Sequence, residues 1–258
     1  MKKILFTLFL LCACFYSHAQ ITFQKTYSGI DTEEGRSVQQ TTDGGYIITG
    51  YYSSFCGGVS LIKTDAYGDT LWTKNFCGGF IRMGYSVQQT ADGGYIVTGW
   101  THSFGSLGYD VYLIKTDING DLLWTKAFGR TGQELGYSVQ QTTDGGYIIT
   151  GRTDTLGGIN NDVFLIKTDV NGDTLWTKTY DVTGDDVGNS VKQTTDGGYI
   201  IVAAFSDYLI KTDSNGDTLW TKTFGGINED VVRSVQQTTD GGYICAGYTN
   251  SFGAGYYD

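Results

Sequence analysis

Residues 110–129 read DVYLIKTDINGDLLWTKAFG. The stretch contains two runs rich in β-branched and aromatic residues, at 111–116 and 122–128, which are typical of a packed, pleated strand. Between them, Asn119 and Gly120 tolerate the positive φ angles that a tight hairpin turn requires. We therefore predict a β-hairpin here, and the rest of the chain repeats it.

The repeat spacing predicts the fold class. The hairpin tryptophans Trp72, Trp124, Trp176 and Trp220 are separated by 52, 52 and 44 residues. Each unit has four predicted strands, which in the third unit cover residues 137–141, 146–153, 163–168 and 174–180. A Thr-Asp-Gly-Gly-Tyr turn joins the first to the second, with its aspartate at Asp43, Asp92, Asp144, Asp196 and Asp240. Four short antiparallel strands per unit predict an all-β β-propeller with four complete blades and a partial fifth. A β-solenoid is the alternative, although its coils are usually shorter.

The chain divides into a leader and one repeat domain. Residues 1–19 combine Lys2-Lys3, a short apolar run and small residues before Gln20, which predicts a cleaved signal peptide. Lipoprotein processing at Cys14 is the alternative. Residues 20–258 form the propeller domain, in which Phe23 takes the tryptophan place of a fourth strand. The fifth unit stops as its third strand begins, so we expect a longer native chain. The mature protein is expected to be secreted or at the outer cell surface, without a membrane span.

Charge restricts the classes of partner. The formal net charge is −10, and removal of Lys2 and Lys3 lowers it to −12. Nucleic-acid binding depends on basic side chains that neutralise phosphates, so an acidic domain argues against it. The repeated lysines, such as Lys115 and Lys126, are expected to pair with the repeated aspartates, with a basic patch as the alternative.

Antiparallel order predicts two different ends for the propeller. The near-invariant turns share one end, which we call the turn face. The second-to-third loops and the inter-blade links share the other end, which we call the variable face. The second-to-third loops cover residues 53–60, 101–110 and 153–162, and the links cover residues 77–84, 129–136, 181–189 and 225–230. Because function usually resides on variable loops of a rigid scaffold, the variable face is the predicted binding face.

The candidate ligand-binding residues lie where the repeat varies. Tyr51, Trp100 and Tyr248 share one position after the second-strand glycine, where flat aromatics either stack on a ligand or pack between blades. The polar candidates are His102, Arg130, Glu134, Arg152 and Asp154. Non-repeated acids, including Asp185, Asp186, Glu229 and Asp230, are either solvated loop charges or carboxylates for glycoside hydrolysis.

Metal and cofactor sites are not predicted. Asp117, Asn119 and Asp121 resemble a calcium loop, but the loop is short and closes into a hairpin, so turn chemistry is the preferred interpretation. His102 is the only histidine after the leader, which argues against a histidine triad or a multi-histidine metal site. We predict no catalytic residue, no metal and no cofactor.

The repeat resembles those of bacterial secreted tandem-repeat β-propellers, written here as SVQQTTDGGYIITG…LIKTDxNGDTLWTKTFGG. The resemblance covers nearly all of residues 21–258 and implies a propeller fold, export and, in full-length relatives, a sorting domain for type IX secretion. The Asp-x-Asn-Gly-Asp-x-x-x-Trp core of the repeat is also similar to the tryptophan-bearing turn of quinoprotein propellers. We expect a non-catalytic module that binds a glycan or protein at the cell surface. The alternative is an extracellular glycanase-like hydrolase or quinone-dependent enzyme.

Three cysteines follow the leader. Cys56 and Cys77 lie on the variable face of one blade, at positions where other units have no cysteine, and export permits oxidation. We predict a Cys56–Cys77 disulfide, with two unpaired loop thiols as the alternative. Cys245 takes the place of Ile149 and is expected to be buried.

Overall fold

The strands form four complete sheets and one half-sheet. The computed structural model describes residues 23–27, 32–53, 57–77, 82–102, 108–129, 132–154, 160–181, 184–204, 208–226, 228 and 230–252. Blade 1 contains β1 (Glu33–Gln40), β2 (Tyr46–Tyr52), β3 (Gly58–Thr64) and β4 (Thr70–Phe76). Blade 2 contains β5 (Arg82–Gln89), β6 (Tyr95–Thr101), β7 (Asp110–Thr116) and β8 (Leu122–Phe128). Blade 3 contains β9 (Glu134–Gln141), β10 (Tyr147–Asp154), β11 (Asn161–Thr168) and β12 (Thr174–Tyr180). Blade 4 contains β13 (Val187–Gln193), β14 (Tyr199–Ala204), β15 (Tyr208–Thr212) and β16 (Thr218–Thr223), and blade 5 contains β17 (Asp230–Gln237) and β18 (Tyr243–Thr249).

The blades are arranged around a common axis. Each complete blade is an antiparallel meander in chain order, and blade 5 is an antiparallel pair. The first strands of successive blades contact one another, and each second strand contacts the first strand of the next blade. The first strands, β1, β5, β9, β13 and β17, are therefore the inner strands, and the fourth strands lie outside. This arrangement confirms the predicted all-β propeller.

The inner strands begin earlier than predicted. In blade 3 the first strand begins at Glu134 and not at Tyr137, because Glu134 and Leu135 continue the pairing with Thr153 and Arg152. The Glu134 backbone N–H also donates to the Tyr109 carbonyl of blade 2 at 2.7 Å. Residues that looked like a linker thus extend the inner strand toward the variable face.

The hairpin turns are held by their aspartates. The Asp117 carboxylate accepts hydrogen bonds from the backbone N–H groups of Asn119 and Asp121 at 2.9 and 2.8 Å. Gly120 has a φ of 76°, and a Cβ there would lie 2.7 Å from the Trp72 ring of the preceding blade. This position therefore requires glycine both for the turn and for the packing between blades. The predicted turn chemistry is confirmed.

The tryptophans connect successive blades. The Trp124 ring contacts Tyr147 of the next blade edge to face, with ring centroids 5.9 Å apart. The same contact joins Trp72 to Tyr95, Trp176 to Tyr199 and Trp220 to Tyr243. Phe23 contacts Tyr46 in the same way at 5.7 Å, as expected for a residue in the tryptophan place. The predicted packing between blades is confirmed, and the tryptophan side chains are half-buried.

Each complete blade buries one lysine beside the turn that joins its first two strands. Lys167 is 4% exposed, and its Nζ donates to the Thr168 carbonyl at 2.8 Å and pairs with Asp144 at 2.9 Å. Lys63, Lys115 and Lys211 form the same pair with Asp43, Asp92 and Asp196. On the outside, Lys126 pairs with Asp173 of the next blade in a solvent-exposed bridge of 2.6 Å. The repeated lysines are therefore paired with the repeated aspartates, as expected, except Lys222, whose Nζ lies 5.9 Å from the Trp220 ring centroid.

Cys245 is exposed, and the prediction that it is buried was wrong. It lies on β18, which pairs with β17 and with no other strand of the described residues. Ile149, the corresponding residue of blade 3, is buried under neighbouring strands. Ile244 beside Cys245 is 62% exposed for the same reason. The burial inferred from the repeat requires a covering layer that β18 does not have here.

Replacement of Trp124 by alanine should destabilise the propeller measurably. Complete burial would predict a loss of about 3–5 kcal/mol, and the half-buried position reduces our expectation to about 2–3 kcal/mol. Leu123→Ala is the control, because Leu123 is 56% exposed and its loss should cost less than about 0.5 kcal/mol. Equal losses in urea denaturation would contradict the role of the tryptophan in the junction.

Replacement of Asp144 by asparagine should destabilise more than the same change at Asp173. Asp144→Asn leaves the buried Lys167 ammonium without its counter-ion, at an expected cost of about 2 kcal/mol. Asp173→Asn removes only an exposed bridge and should cost about 0.5 kcal/mol or less. Chemical denaturation at pH 7 measures both losses, and the reverse order would contradict the structural role of the buried pair.

The same pair predicts an acid-sensitive component of stability. Partial burial of Asp144 opposes ionisation, but hydrogen bonds from Lys167, Thr142 and the Gly146 N–H outweigh it and lower its pKa to about 2. Because the folded-state pKa lies below the ordinary value of 3.8, this stabilisation is present above about pH 4. It is lost as the pH falls through about 2. Asp144→Asn should therefore lose less stability than the wild type between pH 4 and 2, measured by urea denaturation.

Candidate ligand-binding site at the propeller axis

All five inner strands contain a β-bulge at the same place. The pairing of each inner strand with its neighbour skips one residue, namely Arg36, Tyr85, Tyr137, Asn189 and Arg233. In blade 2, a Cβ on Gly99 would lie 1.6 Å from the Met83 carbonyl oxygen, so the two strands approach closely just before the bulge. Bulges redirect a side chain and are enriched beside functional sites. We call these five residues the axial cluster.

The axial cluster connects neighbouring blades near the axis. The Arg36 guanidinium lies over the Tyr85 ring, with its Cζ 5.3 Å from the ring centroid. The Tyr85 and Tyr137 rings are 4.9 Å apart and inclined at 52°. The Asn189 Nδ2 donates to the Val232 carbonyl at 3.3 Å. Each contact joins two blades, so residues about 50 positions apart in sequence meet near the axis. Arg36, Tyr85 and Tyr137 form one continuous group of guanidinium and aromatic side chains.

Second-strand residues flank this cluster. Trp100 is only 8% exposed, and its Nε1 lies 3.4 Å from the Tyr85 hydroxyl, to which it donates. Its ring also lies 4.4 Å from that of Tyr109. Tyr248 lies under the Arg233 guanidinium at 5.8 Å. Trp100 therefore supports Tyr85 from behind, and the half-buried Tyr85 and Tyr137 are the accessible aromatic groups.

Arg152 contributes positive charge to the same region. Burial raises the pKa of the Tyr137 hydroxyl, and the charges of Arg152 and of Arg36, two blades away, oppose that increase. The buried Nε of Arg152 has no hydrogen-bond partner among the described residues. Hydrogen bonds from the Asn161 backbone and side-chain N–H groups, at 2.8 and 2.9 Å, lower the pKa of the nearby Asp185 carboxylate, and the charge of Arg152 lowers it further. Arg152 is thus a half-buried cation whose guanidinium is incompletely satisfied by these residues.

The remaining candidate residues lie at several places on the variable face. Tyr51, together with Tyr27 and Ile48, lines a groove of about 360 Å³ on blade 1. His102 is exposed and contacts the edge of Tyr109 at 5.4 Å. Asp154 at the end of β10 accepts a hydrogen bond from the Gln133 backbone N–H. Arg130 lies outside the described residues. The structure therefore brings Arg152 to the axial cluster and leaves Tyr51, His102 and Asp154 away from the contacts that form it.

Several acids that break the repeat are internal rather than solvated. Glu134 is 1% exposed and accepts a hydrogen bond from the Thr153 hydroxyl at 2.9 Å. Asp230 accepts from the Ser251 hydroxyl and the Gly226 backbone N–H, both at 2.7 Å. Asp186 is fully buried. The interpretation of these residues as solvated loop charges was wrong, because each lies at or beside the start of an inner strand that is longer than predicted.

Three carboxylates lie near one another between blades 3 and 4. Burial raises the pKa of Asp162, and the charges of Asp181 and Asp186 raise it further.

No group of three metal-binding side chains with a suitable arrangement occurs within the described residues. No helix among those residues is long and apolar enough to cross a membrane.

Sequence reasoning missed the axial cluster, although a signal for it exists. In the inner strands the bulge position reads Arg, Tyr, Tyr, Asn and Arg, whereas the residue after it is serine in all five units. A position whose chemistry changes beside a constant serine is a candidate for a role outside the scaffold. The predicted binding residues lay on variable loops and after the second-strand glycine, and none of them was at the bulge position.

Comparisons with known proteins support the fold and nothing finer. No protein-family model matches the chain, and no curated protein matches it. A crystal structure of a Bacteroides caccae protein of unknown function is similar with a TM-score of 0.50 and 14% identity, covering 75% of this chain and 62% of that one. The chain thus spans less than two thirds of that protein's length.

Two glycoside hydrolases show weaker likeness. The family GH43 endo-arabinanase of Bacillus licheniformis gives a TM-score of 0.47 at 12% identity, covering 88% of this chain and 97% of its own. An endo-arabinase of Bacteroides thetaiotaomicron gives 0.44 at 13% identity, covering 89% and 93%. At these identities the similarity concerns the fold alone.

Peptide mapping without reduction should link Cys77 to Cys56. Cys77 is disulfide-bonded in the structure, whereas Cys245 has a free, exposed thiol, and Cys56 lies outside the described residues. We expect one cross-linked peptide containing Cys56 and Cys77, and alkylation of Cys245 without prior reduction. Alkylation of Cys56 and Cys77 in the unreduced secreted protein would contradict the predicted pairing.

Proposed function

We propose that this protein is an exported binding module that holds an extracellular glycan at the axial cluster without converting it. The observation that carries the proposal is the convergence of Arg36, Tyr85 and Tyr137 from three successive blades. Aromatic rings provide flat surfaces for the C–H faces of sugars, and guanidinium groups donate hydrogen bonds in a fixed fork. Such a surface, on a rigid scaffold, suits recognition of a saccharide.

The different roles of neighbouring positions in the inner strands support this proposal. Ser86 Oγ and Gln88 Oε1 accept hydrogen bonds from the Val139 and Gln141 backbone N–H groups of the next blade, at 3.4 and 2.6 Å. These repeated residues join the blades. The bulge position follows a glycine in four of the five inner strands and precedes a serine in all five. Because the strand pairing skips this position, its side chain can differ from blade to blade, and in our proposal it contacts a ligand.

The repeat-breaking acids favour binding over hydrolysis. Glycoside hydrolysis usually requires two carboxyl groups placed on either side of the scissile bond. Glu134, Asp230 and Asp185 instead accept hydrogen bonds from neighbouring protein groups. These carboxylates therefore have a structural role, because their hydrogen bonds attach the starts of strands to adjacent segments.

A second candidate function is glycoside hydrolysis at Asp162. Its raised pKa beside Asp181 and Asp186 is the type of perturbation found in catalytic acids. Asp162 and Asp181 lie at the variable-face ends of β11 and β12. Replacement of Asp162 by asparagine therefore belongs in the same set of measurements as the axial variants.

Screening the secreted protein on a glycan array should identify bound oligosaccharides that remain intact. Tyr85→Ala and Tyr137→Ala should each weaken binding about tenfold, because each removes a stacking surface. Tyr67→Ala is the control, since Tyr67 is 61% exposed but lies in a turn at the opposite end of the propeller. Thermal denaturation establishes that the variants fold.

Product analysis separates the two functions. Cleavage that disappears in Asp162→Asn and persists in Tyr137→Ala would establish hydrolysis at Asp162 and contradict the proposed module. Binding that is equal in Tyr137→Ala, Tyr67→Ala and wild type would place the ligand elsewhere on the propeller.

A further inference from the structure

Most cations of this protein belong to two sets with different surroundings. Eight lysines at repeated positions are paired with aspartates, as in Lys167–Asp144 and Lys126–Asp173. The five arginines all occupy positions where the repeat varies. Two of them, Arg36 and Arg233, belong to the axial cluster, and Arg152 flanks it. Arg82 is buried and donates to the Cys77 carbonyl and the Tyr112 hydroxyl, which gives it a structural role, whereas Arg36, Arg152 and Arg233 lie at or beside the axial cluster.

Arg152 is the arginine best placed to receive an anion. Its Nε is buried without a partner among the described residues, and a buried donor left unsatisfied is costly. Arg152 pairs with Leu135 of the adjacent inner strand, two residues before Tyr137, so it lies beside the aromatic part of the cluster. The effect of its charge on the Tyr137 hydroxyl agrees with this position. An oxyanion bound there would satisfy the guanidinium while the remainder of the ligand contacts Tyr137 and Tyr85.

The geometry of the guanidinium and the net charge together restrict the anion. A planar fork of N–H donors matches a carboxylate in two parallel hydrogen bonds. The protein carries a net charge of −10, which repels a densely charged polyanion such as nucleic acid or a highly sulfated chain. The half-buried Tyr85 and Tyr137 favour a ligand with extended, weakly polar faces between its charges. These properties belong to a saccharide that carries carboxylates on sugar rings.

We propose that the axial cluster recognises a uronic-acid unit, with Arg152 binding its carboxylate and Tyr85 and Tyr137 contacting its ring. This inference rests on the proposed function and deepens it by naming the ligand class. The Arg36 guanidinium is paired with Glu34 at 2.9 Å and lies over Tyr85, so Arg152 is left as the group that binds the carboxylate. Recognition of the carboxylate then adds selectivity to the stacking that any sugar can provide.

The test compares each ligand with its own uncharged form. Trisaccharides of galacturonic, glucuronic and mannuronic acid, and their methyl esters, are titrated calorimetrically into the full secreted chain. We expect at least one acid to bind at least tenfold more tightly than its ester, because esterification removes the charge and retains the ring. Arg152→Gln should abolish that preference by weakening the acid and leaving the ester unchanged.

Control variants separate the outcomes. Lys222→Gln removes one positive charge at an exposed site on the outer strand and should leave the preference intact. Equal binding of acids and esters by the wild type, no binding of any acid, or an unchanged preference in Arg152→Gln would each overturn the uronate inference. If a neutral glycan from the array still binds and requires Tyr137, the proposed module stands without it. If no bound glycan depends on Tyr137, the proposed function fails as well.

Discussion

The structure depends on hydrogen bonds between the inner strands of successive blades. At each of the first three junctions, a serine hydroxyl and a glutamine side-chain oxygen accept from backbone N–H groups of the next blade; Ser138 and Gln140 do so toward Val191 and Gln193 at 3.3 and 2.7 Å. The glutamine at the end of each inner strand after β1 bonds to the preceding blade, as where Gln193 Oε1 accepts a hydrogen bond from the Thr143 N–H of blade 3 at 2.9 Å. These directional bonds fix the offset between neighbouring blades, and therefore fix which side chains meet at the axis.

Contacts made by the outer, fourth strand of each blade stabilise the same junctions between blades. Trp124 on the outer strand packs against Tyr147, and Lys126 two residues later pairs with Asp173 of that next blade. Both contacts reach the hairpin and turn of the following unit, where Gly172 leaves room for the tryptophan ring. Aspartates and glycines that appear to be simple turn residues are thus also junction residues. These contacts explain why the same residues recur in every turn, without a role in ligand binding. The turn face differs in this respect from the variable face, where residues change from blade to blade.

The sequence predicted the features that depend on local chemistry. Asn-Gly turns, β-branched runs and the tryptophan spacing are sufficient to place the outer hairpins, and Thr174–Tyr180 was predicted with its exact bounds. The axial cluster was not predictable in this way. A bulge adds one residue to one strand, and its functional meaning appears only when Tyr85 and Tyr137 from two blades meet. The burial of Glu134 and the exposure of Cys245 also depend on which strands cover them, which the local sequence does not contain.

The fourth junction shows how one substitution changes this system. Lys192 occupies the position of Gln39, Gln88 and Gln140, but an ammonium group can donate hydrogen bonds and cannot accept the one from the next blade's N–H. Ser190 still accepts from the Val235 N–H at 3.4 Å, and Gln237 Oε1 still accepts from the Thr195 N–H at 2.9 Å. Burial lowers the pKa of Lys192, so the folded structure disfavours its charge. The junction before the half-blade therefore lacks one of the three repeated hydrogen bonds. Trp220 still packs on Tyr243 at 5.9 Å, but Lys222 lies over the Trp220 ring and forms no ion pair like Lys126–Asp173 among the described residues. The fourth junction therefore has fewer contacts than the preceding ones, both at the inner strands and at the outer strand.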